Sequence, residues 1–418
     1  MKRDLILATA SAAVLWLLWT LTNDQRWLAH IVVDPVVYWQ RATSFFTHGA
    51  SWSQLGMNEY QPGALWFFAA VGWLAGAPGE FEPFLQMLFL VNLGLLAAHV
   101  VLARWAGPPA APWLMLLFAL LTGPILLCRF ELWVSLLVVG AWALWVRGHL
   151  GAAAVLLGVA TATKIYPVLL LPFLAADAWS RGRWHQAGRV LTWWIAGGFL
   201  VLGTLGLWGS EWREVRAALD FHFDKPFGIE GLLGSSIPLV QWLLGIPLRM
   251  APRNGIYGFE SDLGHTVTFA LEWLWVAPAA GIFFLLWRRG RGAAWSEAGV
   301  IFVLFGWYVT LGKLMAPQYV WWALPFLALT PSAWFCAGQR IVILLLLAGS
   351  LVLGQVVYPL NYSEFLNCFN GVYTENRMFR VNVAKNLLWL GAVLLASVAM
   401  WRKLGSDGHR PPLQGGRV

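Results

Sequence analysis

Apolar runs close to the length of a bilayer crossing follow one another along almost the whole chain, separated by short polar breaks. A helix rises about 1.5 Å per residue, so roughly 20 apolar residues are needed to cross about 30 Å of hydrocarbon. The runs cover 5–21, 62–77, 83–103, 112–127, 132–146, 151–176, 190–208, 266–287, 299–311, 320–336, 341–358 and 383–401. They predict an all-α polytopic membrane protein with about 12 transmembrane helices. Lys2 and Arg3 precede the first run as they would in a secretory signal, but no small-residue cleavage site follows it. It reads as a retained helix.

Only 11% of residues are charged against 59% hydrophobic, so an ionisable group inside or beside a run calls for a functional reason. The 29 Trp suit anchoring at the headgroup level. The net charge of +8 comes from small basic clusters beside apolar segments with no polybasic stripe, which membrane topology explains better than a nucleic-acid partner, so none is expected. Cys128, Cys336 and Cys368 are widely spaced and make neither a disulfide framework nor a metal site.

With the amino terminus in the cytoplasm, Arg181, Arg183, Arg189, Arg288, Arg289, Arg291, Arg340, Arg402 and Lys403 fall on the cytoplasmic side, as the positive-inside rule requires. This holds if 232–248, interrupted by Gly234, Pro238, Gly245 and Pro247, is re-entrant or peripheral rather than spanning. The chain then reads as one integral membrane domain, 1–403, with a polar cytoplasmic tail, 404–418. Both termini are cytoplasmic. Asp34, Tyr38, Glu59, Tyr60, His222, Lys225, Glu230, Lys313 and Gln318 all fall on the opposite side, where loops from distant parts of the chain can build one site.

The first external loop begins with Asp34-Pro35 and predicts an interfacial helix bearing Asp34, Tyr38 and Arg41 on one face. Asp before Pro is equally a way to start a helix, with Asp as its cap. Asn58-Glu59-Tyr60-Gln61-Pro62 places a polar cluster just before the next run. Lys164 lies in Ala162-Thr163-Lys164-Ile165-Tyr166-Pro167, inside an apolar run that Pro167 must break. A cation at a broken helix suits an anionic group, and the alternative is a lysine reaching the interface from a shorter helix. His222 and Lys225, three apart, can face the same way and offer hydrogen bonds and charge to a phosphate. Lys313 with Pro317-Gln318-Tyr319 repeats the pairing of a cation with a proline-broken helix start.

These motifs resemble glycosyltransferase family 87, C-type membrane enzymes that use polyprenyl-phosphate sugars. Asp34 with Tyr38 resembles the family's acidic residue in its first external loop. Ala162-Thr163-Lys164-Ile165-Tyr166-Pro167 with Pro172 resembles its most recognisable signature. His222, Lys225 and Ile229-Glu230-Gly231 resemble its His-Arg-Glu-Ser segment, and Lys313 with Ala316-Pro317-Gln318-Tyr319 and Pro325 resembles its Lys-Ser-Pro-Gln-Tyr segment. Lys225 replaces the more usual Arg, keeping charge but losing bidentate geometry, and Gly231 replaces Ser. Arg129-Phe130-Glu131-Leu132 resembles a segment of part of the family, with Glu131 where Asp is more usual.

The resemblance implies a C-type fold and Asp34 as catalytic base. It also implies donor binding by Lys164, Tyr166, His222, Lys225, Glu230, Lys313, Gln318 and Tyr319, with Tyr38, Glu59 and Tyr60 as further site candidates. It implies transfer of mannose or another hexose or pentose from a polyprenyl-phosphate sugar to a lipid or glycan acceptor, on the outer face of a prokaryotic plasma membrane. Membrane lipids are the remaining partners. No cofactor or metal is expected, since a lipid monophosphate donor lacks the diphosphate that an Asp-any-Asp metal motif serves. The rival reading is a transporter or flippase of lipid-linked saccharides, in which broken helices and intramembrane cations also occur. The halves of the chain show no internal repeat of the kind transporters commonly carry.

Overall fold

The computed structural model describes residues 2–48, 60–180, 184–207, 212–223, 227–236, 249–253, 256–260, 271, 273–289, 297–313, 315–367 and 376–406. Glu59, Lys225, Cys368 and Asn370 lie outside the described residues, as do most of the 232–248 segment and the tail beyond Ser406.

The first half runs through α1 (Lys2–Thr22), α2 (Gln25–Ile31), α3 (Val33–His48), α4 (Ala64–Leu74), α5 (Phe81–Ala106) and α6 (Ala111–Thr122), then α7 (Glu131–Val146), α8 (Leu150–Thr163), α9 (Leu171–Ser180), α10 (Trp184–Leu207) and α11 (Trp212–Phe223). The main helices of the second half are Val276–Arg289, Ala298–Leu311, Ala337–Gln355 and Arg377–Ser406. A small antiparallel hairpin, Arg249–Arg253 with Ile256–Glu260, departs from the all-helical expectation. Among the described residues six helices are long and apolar enough to cross a membrane: Asp4–Thr22, Phe81–Ala106, Ala111–Cys128, His185–Leu207, Ala337–Leu360 and Arg377–Leu404. The chain is a helical membrane protein.

The helices alternate between two poles. Asp4 of α1 meets Arg104 near the end of α5, while Asn23 meets Gln86 at the other pole, so the two helices are antiparallel. Trp145, near the end of α7, donates to Asp177 of α9 at 2.7 Å, and Glu297 meets Lys403 at 3.2 Å. Asp34, Glu131, Thr163 and Tyr358 stand at the opposite, site-bearing pole.

Two expected crossings differ. The run 62–77 does not reach the far pole. Gly63 N–H donates to Ala162 O at 3.0 Å at the end of α8, and α4 then runs antiparallel to α3, with Phe45 against Trp66 and the Trp39 indole bonded to Gly79 O at 2.9 Å. The α3/α4 hairpin therefore stays at the site pole. The run 151–176, expected as one crossing, is two legs. Lys164 is extended (φ −156°, ψ 139°), Pro167 opens a 3-10 turn over Tyr166–Leu170, and α9 heads back toward the far pole. In consequence Arg104 and Arg147 join the basic far pole, where the Arg147 guanidinium lies 3.5 Å over the Trp105 ring.

Close packing fixes the legs. A Cβ on Gly158 of α8 would lie 2.1 Å from Trp194 O of α10, and one on Gly197 would lie 2.1 Å from Val155 O. Glycine lets the two backbones touch where lipid supplies no hydrophobic drive for association.

Candidate active site

The site grows from the connection between α6 and α7. Gly123 ends α6 at φ +74°, a left-handed conformation that favours glycine, and Gln355 packs where a side chain there would stand. A 3-10 turn, Gly123–Cys128, carries the chain to extended Arg129, and α7 starts at Glu131. Arg129, Phe130 and Glu131 thus enter the bundle as three consecutive, almost fully buried residues.

Arg129 Nη1 lies 2.6 Å from Asp34 Oδ2, with the Arg side chain 5% and the Asp side chain 27% exposed. Nη2 donates to the Tyr358 hydroxyl at 3.1 Å, which in turn donates to His30 O at 2.8 Å. The guanidinium therefore clamps the first turn of α3 and leaves the carboxylate at the accessible rim. Asp34 lies inside that turn, one residue past its start at Val33. On the other side of Phe130, Lys164 Nζ donates to Glu131 Oε1 at 2.6 Å, with 13% and 2% of the side chains exposed. The ammonium also sits over Phe130, Tyr319 and Trp322, 4.8, 4.7 and 5.1 Å from their ring centroids. Lys164 is an ion-paired, aromatic-boxed cation.

Tyr38 stacks on Phe68 at 4.3 Å and meets Tyr60 and Phe130 edge-on, so α3, the start of α4 and Phe130 share one aromatic wall. Burial pushes the Tyr38 phenol well above its ordinary range, and it stays neutral. Tyr166 stacks on Trp322 at 4.2 Å, and Tyr319 stacks on the same indole at 4.3 Å. Gln318 is buried beside them in the 3-10 turn Pro317–Trp322.

A second cluster adjoins the first. Lys385 Nζ and Asn386 Nδ2 donate to Glu230 O at 3.0 and 3.2 Å, and Asn382 Nδ2 donates to Ile229 O at 3.0 Å. Gly228 N–H donates to Lys313 O at 2.9 Å, which ties the Lys313 segment to the same loop. Burial raises the Glu230 carboxyl above its ordinary range, against opposing effects of Lys385, a Tyr362 hydrogen bond and Arg129. A cavity lined by Thr122, Met315, Ser350, Gln355 and Lys385 lies alongside.

Asp34, Tyr38, Tyr60, Lys164, Tyr166 and Tyr319 are thus linked through Arg129, Phe130, Glu131 and Trp322, with Gln318 in the same turn as Tyr319 and Trp322. Glu230 and Lys313 belong to the adjoining cluster. His222 falls at the end of α11, with its side chain outside the described residues. Sequence reasoning gave Arg129 and Glu131 no role and overlooked Tyr358 and Lys385. Lys385 stands in the apolar run 383–401 and meets the same criterion of a charge inside a span that singled out Lys164. Among the described residues no three His, Cys, Asp or Glu side chains are grouped to hold a metal ion. No protein-family model matches the chain, and no curated protein and no solved structure matches it.

Proposed function

We propose that the protein is a membrane glycosyltransferase that moves a sugar from a polyprenyl-phosphate donor to a lipid or glycan acceptor, with Asp34 as catalytic base. The observation that carries this reading is the Asp34 carboxylate, anchored at 2.6 Å by buried Arg129 yet 27% exposed at the rim of a polar cluster drawn from several segments. The motif resemblance supplies the substrate class. In this reading the chain crosses the membrane twelve times in a C-type arrangement, with both termini cytoplasmic and the site outside. The alternation of its helices between two poles and the basic residues at the far pole support that topology.

In the reaction, Asp34 takes the proton of an acceptor hydroxyl as its oxygen attacks the anomeric carbon. The bond from that carbon to the phosphate oxygen breaks, and the polyprenyl phosphate leaves with the electron pair. Single displacement inverts the anomeric centre and needs no enzyme nucleophile. Arg129 holds the carboxylate in one orientation, and the motif resemblance assigns the departing phosphate to His222, Lys225 and Lys313.

The test is transfer from radiolabelled polyprenyl-phosphate mannose, and from the arabinofuranose donor in parallel, into membranes holding wild-type or Asp34→Asn protein. Wild-type transfer that vanishes in the variant supports both class and base. Near-normal transfer by intact Asp34→Asn protein removes Asp34 from the role, and label that crosses the bilayer without forming a new bond points to the flippase instead.

A further inference from the structure

We propose that the Lys164–Glu131 pair and the aromatic residues beside it bind hydroxyl groups of the donor's sugar rather than its phosphate, an inference that rests on the transferase reading. Lys164 alone suits an anion. Its charge is already met by Glu131 at 2.6 Å, and Glu131 is only 2% exposed. A phosphate placed there would meet a buried carboxylate at close range, and like charges in such a setting repel strongly.

The polar atoms around the pair point to a neutral ligand. Among the described residues, Glu131 Oε2, Tyr166 Oη and Trp322 Nε1 have no hydrogen-bond partner, although Glu131, Tyr166 and Trp322 are 2%, 1% and 6% exposed. Buried polar groups are normally satisfied, and three unpartnered ones on Glu131, Tyr166 and Trp322, side chains joined through the Lys164 pair and the Tyr166–Trp322 stack, mark a place where polar partners bind. Their chemistry is mixed: a carboxylate oxygen that accepts, an indole N–H that donates and a phenol that does both. Hydroxyl groups, which also donate and accept, match that set, whereas a phosphate only accepts. The Tyr166–Trp322 stack, with planes 7° apart, fixes the two side chains, so the polar edges are preorganised.

The position agrees. Arg129, which holds Asp34, and Glu131, which holds Lys164, flank the single residue Phe130. The attacked carbon is itself part of the sugar ring, whose hydroxyls stand on the neighbouring carbons, so the groups one residue from the base's anchor are placed to hold the ring.

The experiment measures binding of polyprenyl-phosphate mannose, polyprenyl-phosphate arabinofuranose and bare polyprenyl phosphate to wild-type, Glu131→Gln and Tyr166→Phe protein in nanodiscs. Wild type is expected to bind one sugar lipid more tightly than the bare lipid phosphate. Each variant is expected to lose about tenfold in affinity for that sugar lipid, roughly one hydrogen bond, with bare polyprenyl phosphate unchanged. Equal loss for both lipids would put the phosphate at the pair and overturn the proposal. Unchanged affinity, or a wild type that prefers neither sugar lipid over the bare phosphate, overturns it as well. A wild type that binds none of the three overturns the transferase reading itself. Tyr166→Phe removes only an unpartnered hydroxyl and keeps the test valid should Glu131→Gln fail to fold.

Discussion

Arg129 and Asp34 meet at 2.6 Å from segments far apart in sequence, and the same guanidinium reaches Tyr358 at 3.1 Å. One buried cation thus joins α3, the α6–α7 connection and the end of the Ala337–Gln355 helix. Removing one partner of a buried pair leaves the other charge without compensation, at about 3–5 kcal/mol. Arg129→Met is expected to destabilise the protein by about 3 kcal/mol on that scale, the low end because Asp34 keeps access to solvent. Asp34→Asn keeps a hydrogen-bond acceptor for Arg129 but leaves that more deeply buried charge without compensation, and is expected to lower the thermal midpoint in detergent at least as much. A thermal midpoint unchanged in both variants would show that the pair does not anchor α3.

Gly158 and Gly197 let the backbones of α8 and α10 approach each other. Gly158→Ala pushes a methyl to 2.1 Å from Trp194 O, a backbone atom that cannot rotate away, and overpacking of this kind costs about 1–3 kcal/mol or more. Gly203→Ala, also on α10, meets nothing within 4 Å and serves as the control. The expected result is a large fall in thermal midpoint for the first and little change for the second. A tolerated Gly158→Ala would mean that α8 and α10 do not cross where the structure has them.

The sequence readings of the donor chemistry expect no metal at the site. Transfer activity is expected to be unchanged in excess chelator. Activity lost in chelator and restored by a divalent ion would reverse that expectation.

Charges inside apolar runs made Lys164 legible, and the proline after it made the break legible. The ion pair was not, because Glu131 comes from another helix and only the fold shows which carboxylate faces which ammonium. The path was partly misread for a local reason. The 62–77 run is apolar enough to cross, but Gly63 bonds to Ala162 and α4 returns to the pole it left. The 151–176 run is long enough for one crossing, but the break at Lys164–Pro167 turns it into two. One leg fewer and one leg more cancel, so the later described helices keep their expected poles, and only the residues between, such as Arg104 and Arg147, change poles. Lys385 was missed for no physical reason, since it is as conspicuous in its run as Lys164.

Glu230 gives the fold a pH dependence whose sign follows from its environment. Burial raises its carboxyl above the ordinary value of 4.5, and the opposing effects of Lys385, Tyr362 and Arg129 do not cancel that rise. A raised acid binds its proton more tightly in the folded than in the unfolded chain. Its contribution to stability is therefore complete below about pH 4.5 and is lost as pH climbs through the raised value. Glu230→Gln keeps the backbone carbonyl that receives Lys385 and Asn386, and it removes the titration. Thermal midpoints of the two proteins, taken in detergent from pH 4 to 8, are expected to show wild type losing ground to Glu230→Gln as pH rises above about 4.5. A difference that stays constant across that range would mean that Glu230 titrates alike folded and unfolded. A difference that moves the other way would mean that Lys385 outweighs burial, and that the loop Gly228–Ser235 is held by an ion pair rather than by the hydrogen bonds to its carbonyls.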